Sequence, residues 1–160
     1  MAKRVQEFLS KNGKVPPMAY IVTERKGEQN KRDMYAIDIK PFLDSQEGKG
    51  RLIYFLKEMV KLTPQIATVG VVVEAWFYTV NKKNLPKRFE ELNENIVRPS
   101  EHPDRRECVM ITVNHVDHKN ELFMVSFERD HEGKIVKTYL DESMSKEMEN
   151  VQSIFSKIFG

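Results

Sequence analysis

A chain of 160 residues with 40% hydrophobic and 31% charged side chains fits one globular domain burying about two-thirds of its unfolded surface, which excludes an intrinsically disordered protein. Twenty-six basic against 24 acidic residues leave a formal charge of +2, without the clustered basic excess of a dedicated nucleic-acid binder. The single cysteine, Cys108, excludes an intramolecular disulfide; no apolar run reaches membrane-spanning length, and the N-terminus lacks the apolar core of a secretory signal, so the expectation is a soluble, cytoplasmic protein with no membrane partner.

In chain order, Val5, Phe8 and Leu9 predict a short helix over Lys3–Lys11, stopped by Asn12-Gly13 and by Pro16-Pro17; residues 1–17 alternatively form a loosely attached arm. Met18–Thr23 and Met34–Ile39 read as short strands. The charged run E-R-K-G-E-Q-N-K-R-D between them reads as a solvated hairpin loop, its basic residues interspersed with acids. Asp44 or Ser45 caps a predicted helix reaching Thr63, with Leu52, Phe55, Leu56, Met59, Val60 and Leu62 at spacings of three and four. Its E-G-K-G-R start lacks the Ser or Thr and the preceding strand that a phosphate loop needs.

The run I-A-T-V-G-V-V-V-E-A-W-F-Y-T-V, Ile66 to Val80, is the longest apolar segment and predicts the central strand. One face shows Ala67, Val69, Val71, Val73, Ala75 and Phe77; the other shows Thr68, Gly70, Val72, Glu74, Trp76, Tyr78 and Val80. After the long connection 81–106, three strands (Glu107–Val116, Glu121–Phe127 and Lys134–Leu140) read as an antiparallel meander, with Gly133 in the last turn at a position that favours positive φ. A final helix from Asp141 or Ser143 to Phe159 aligns Met144, Met148, Val151, Phe155 and Ile158. The expected architecture is a single α+β domain: a mainly antiparallel sheet of about five or six strands, with the two main helices packed on one face, taken from hydrophobicity as that of Val71, Val73, Phe77, Val109, Ile111, Phe123 and Val125. Pairing of the meander strands places Val80, Arg106 and the Asp130–Gly133 turn at one end of the sheet.

Candidate chemistry concentrates in P-S-E-H-P-D-R-R-E, Pro99 to Glu107. His102 suits a general base near its ordinary pKa, oriented by Glu101 or Asp104, while Arg105 and Arg106 suit an anion. Against this stands a stiffened loop pinned by arginine–acid pairs. Glu74, flanked by apolar residues, is either a base in an apolar pocket, an ion-pair partner of Arg105 or Arg106, or solvated. His115, Asp117 and His118, and at the opposite end His102, Asp130, His131 and Glu132, lack any zinc-binding spacing, so no metal or cofactor is expected. Cys108, inside a strand, reads as a small buried hydrophobe.

The strand with V-E-A-W followed by R-P-S-E-H-P-D-R-R-E and another strand resembles small uncharacterised proteins from phages and bacteria, over roughly Val69 to Val113. The resemblance implies no activity; it points to Glu74–Trp76 and Pro99–Glu107. The reading is a non-enzymatic interaction protein, using a face with Trp76, Met110 and Met124 and the 99–107 loop for self-association or a protein partner. The alternative is a small enzyme or ligand binder for a phosphorylated or acidic molecule, with Glu74, His102 and Asp104 as catalytic groups and Glu101, Arg105 and Arg106 holding the ligand.

Overall fold

The computed structural model describes residues 2–25, 31–77, 103–116 and 120–141. In chain order these form α1 (Ala2–Asn12), β1 (Met18–Glu24), β2 (Arg32–Asp38), a single-turn α2 (Lys40–Leu43), α3 (Gln46–Leu62), β3 (Ile66–Phe77), β4 (Arg106–His115), β5 (Glu121–Arg129) and β6 (Ile135–Asp141). The strands make one antiparallel six-stranded sheet of order β2-β1-β3-β4-β5-β6, the α+β architecture expected. His102, Glu101 and the predicted helix to Phe159 lie outside the described residues, whereas Asp141 belongs to β6, paired with Met124.

Local chemistry sets the element ends. The α1 helix closes with the Gly13 N–H donating to the Leu9 carbonyl at 2.8 Å. Ser45, not Asp44, caps α3: it is extended (φ −144°, ψ 160°), and its hydroxyl accepts the Gly48 N–H at 2.9 Å. A Cβ on Gly48 would stand 2.5 Å from the Phe42 carbonyl oxygen, so this glycine permits the close approach of α2 and α3. E-G-K-G-R is thus a packing and capping device. In the β5–β6 turn Gly133 takes φ +80°, as expected, and Asp130 Oδ1 accepts the N–H groups of Glu132 and Lys134.

The sheet is buried on opposite faces at its two ends. Over β1 and β3, Leu52 and Leu56 of α3 pack with Ala19, Ile21, Ile39, Ile66, Val69 and Val71, with Val73 alongside; this is the face predicted for α3. Over β3 to β6, Ala2 and Leu9 of α1 pack on the other face against Val72, Val109, Ile111, Val125 and Phe127. Residues 2–12 are therefore a packed helix, not a loose arm, and Gln6 Nε2 donates to Thr138 Oγ1 at 3.1 Å. Phe8, Phe55 and Leu62, expected inward, are exposed.

Strand register explains why both faces of β3 are apolar. Val72 lies directly opposite Ile111, and Val71 opposite Thr112. Directly opposed residues share a face. Ile111, Val109, Phe123 and Val125 thus lie with Val72, Glu74 and Trp76, not with Val71 and Val73 as hydrophobicity suggested. Met110, opposite both Val73 and Met124, lies with Val71. Trp76 and the Met110–Met124 pair therefore occupy opposite faces, so these three residues do not share the one sheet face expected of them.

Candidate functional site

Trp76 and Phe77 pair with Glu107 and Arg106, Glu107 pairs with Phe127, and Arg129 pairs with Ile135. The end of β3, the start of β4 and the β5–β6 turn thus meet at one end of the sheet, as the meander predicted. An open groove of about 820 Å³ runs across this end, lined among others by Trp76, Arg105, Arg106, Phe127, Arg129 and Tyr139. Its lining residues on β5 alternate between the two sheet faces, so the groove crosses the strand ends rather than lying on one face.

Two cation–aromatic contacts organise the groove. The Arg105 guanidinium lies over the Trp76 ring at 5.0 Å, and Trp76 remains 41% exposed. The Arg129 guanidinium lies 4.9 Å from the Phe127 ring. Arg129 also donates from Nε to Glu107 Oε2 and from Nη1 to the carbonyls of Gly13 and Gly133, each at 3.0 Å. One planar fork therefore ties β4, the α1 exit and the β5–β6 turn. Across the groove, Tyr139 donates its hydroxyl to Glu128 Oε1 at 3.1 Å and carries Lys137 over its ring. A side-chain hydrogen bond between Lys137 and Tyr139 is the first cause holding the Lys137 pKa above its ordinary value. Arg106 is exposed and has no ion-pair partner among the described residues.

The structure thus brings Trp76, Arg105 and Arg106 together and takes Glu74 away from them. Glu74 Oε1 accepts the Val15 N–H at 2.8 Å, anchoring the segment that leaves α1, and lines a separate groove of about 680 Å³ with Phe8, Lys14, Lys40 and Leu43. Among the described residues it makes no ion pair with either arginine. Asp104 is exposed beside Arg105. Arg129, which the sequence reading overlooked, is the best-connected side chain of the site.

Elsewhere the candidate groups serve the fold. His115 Nδ1 lies 3.0 Å from Thr68 Oγ1, and His115 Nε2 lies 3.8 Å from Glu121. Among the described residues no three His, Cys, Asp or Glu side chains are placed to hold a metal. Cys108 is fully buried between Ala75 and Ser126, and burial pushes its thiol up to about 12, the environment of an inert thiol. Arg25 and Arg32 of the charged hairpin pair with Asp33 and Glu24. Among the described residues no helix is long and apolar enough to cross a membrane. Comparison with protein-family models, with curated proteins and with solved structures gives no match.

Proposed function

We propose that the protein is a non-enzymatic binding domain whose groove at the Trp76 end of the sheet receives an acidic segment of a protein partner. The observation carrying this reading is a groove that wraps the strand ends and is lined on one sheet face by Arg106, an exposed guanidinium without an ion-pair partner among the described residues, and on the other by Trp76 with Arg105 stacked upon it. Exposed Trp and Arg in one concave site are the residues that dominate interface energetics. A guanidinium fork matches carboxylate geometry, and Arg106 supplies it. Glu107 does not cancel this charge, because Arg129 takes it up at 3.0 Å. Glu74 is anchored on the Val15 N–H and lines the other groove, away from both arginines. The resemblance to small phage and bacterial proteins covers this same region and adds no activity to the reading.

The chain contains one tryptophan, so intrinsic tryptophan fluorescence reports on the groove alone. Titration with a polyglutamate peptide should shift Trp76 emission, and 200 mM salt should weaken binding more than tenfold relative to 20 mM. Arg106→Glu should abolish the response while leaving the thermal midpoint unchanged. Inorganic phosphate giving the same response, with polyglutamate giving none, would replace the acidic segment by a small anion. No response to either overturns the reading.

A further inference from the structure

The two edges of the sheet are built differently. β6 carries Lys137 in its middle and meets β5 with a register shift at Glu128/Arg129; a charged edge residue and a bulge are both common guards against strand addition. β2, R-D-M-Y-A-I-D, keeps its charges at Arg32, Asp33 and Asp38 near its ends, and has an uncharged centre, no proline and no irregularity along its whole pairing with β1. It leaves Met34 64% and Tyr35 55% exposed, one on each face. Natural edges rarely combine regularity with exposed apolar residues unless something pairs with them.

The hydrogen bonds flanking β2 show which of its backbone groups are open. Arg25 N–H donates to the Lys31 carbonyl, and Ile39 N–H to the Pro17 carbonyl. Both bonds continue the β1–β2 register, in which Met18 faces Asp38 and Glu24 faces Arg32. Backbone groups alternate in direction along a strand. Asp33, Tyr35 and Ile37 therefore turn their N–H and C=O groups to β1, while Arg32, Met34, Ala36 and Asp38 turn theirs to the free edge. Among the described residues none of these four has a backbone partner there.

We infer that the β2 edge is a self-association surface, on which a second copy of this chain adds its own β2 antiparallel to form one continuous sheet. The sequence selects the register. Open residues must oppose open residues, and only pairing centred on Tyr35 uses all four from each copy. That register sets Arg32 opposite Asp38 of the second copy, Met34 opposite its Ala36, and Tyr35 opposite Tyr35 on the two-fold axis. Shifting by one residue sets open backbone groups against groups already committed to β1. Shifting by two leaves an open residue unpaired at the end of each strand. Charge agrees with geometry: Arg32 and Asp38 lie at opposite ends of the open set, so the two-fold operation joins unlike charges at both ends. Arg32, 70% exposed at its side chain and already beside Glu24, gains a second carboxylate. The β2 edge is at the far side of the sheet order from β4 to β6, so association leaves the Trp76 groove free.

Sedimentation equilibrium should show a concentration-dependent species of twice the 18.8 kDa chain mass. Ala36→Pro should return it to monomer, because the N–H it removes bonds nothing within one copy and proline is tolerated on an edge strand. Far-UV circular dichroism checks that this variant folds. Independently, Tyr35→Cys should cross-link to a dimer under oxidised glutathione, since a non-hydrogen-bonded pair brings Cα atoms to about 4.5 Å, within disulfide reach. Met34→Cys, which opposes Ala36, should cross-link far more slowly; native Cys108 is buried and does not interfere. A wild-type chain monomeric up to about 1 mM overturns the inference. So does a dimer in which Met34→Cys cross-links in preference to Tyr35→Cys, or one that a folded Ala36→Pro variant retains.

Discussion

Cys108 shows how far a single residue can be read before its surroundings are known. Its place in an apolar strand suggested a buried hydrophobe, and it is fully buried. What the sequence left open was which face it served, because that depends on pairing with Ala75 and Ser126. The same limit applied to Glu74: its oddity was legible, but its partner is the Val15 backbone, 59 residues earlier, which no local pattern encodes. Burial of Cys108 has a consequence for stability. The thiol ionises from about 9.0 in an exposed chain but only at about 12 in the fold. The unfolded state therefore releases its proton first, so this contribution is complete below pH 9 and is lost as pH rises toward 12. The loss proceeds at up to about 1.4 kcal/mol per pH unit. Urea midpoints measured across this alkaline range should fall more steeply for the wild type than for Cys108→Ala. Equal slopes for the two would mean that the thiolate is accommodated in the fold.

Elements were easier to read than their relations. Six strands and α3 announce themselves through apolar periods of two and of three to four, and through Pro, Gly and Ser at their ends. The phase between strands does not, since apolar residues occupy both faces of β3; pairing alone decides whether Ile111 stands beside Val71 or Val72. Arg105, Arg106 and Trp76 were legible as a site because strand order alone brings them to one end. Arg129 was not, because it joins three elements through carbonyl oxygens and one carboxylate. It is the element-scale test of the site. Arg129→Ala should cost about 1.5 to 3 kcal/mol, since it strands the half-buried Glu107 and frees two carbonyls. Arg129→Lys should recover little, lacking the fork. Arg106→Ala, exposed at the groove, should leave the unfolding free energy within about 0.5 kcal/mol of wild type. Equal effects at positions 106 and 129 would mean that the arginine network plays no part in joining the elements.

At the scale of the molecule, two cores lie on opposite faces and share one strand. Val69 and Val71 of β3 belong to the α3 core, and Val72 belongs to the α1 core; all three are essentially inaccessible. This back-to-back burial accounts for the unbroken V-G-V-V-V run: a strand covered on both faces has no polar side to show. It also couples the two halves, because β3 cannot leave one core while staying in the other. Leu9 and Leu56, each fully buried, occupy opposite faces. Leu9→Ala and Leu56→Ala should each cost about 2 to 5 kcal/mol, the range for emptying a buried leucine site. With no shared partner among the residues of their clusters, the two losses should add in the double variant. If β3 joins the cores into one cooperative unit, each variant lowers a single midpoint, seen alike by Trp76 fluorescence and by far-UV circular dichroism. If the halves unfold separately, Leu9→Ala splits the transition. Trp76, on the face of β3 that α1 partly covers, would then report the earlier step while circular dichroism retained the α3 half.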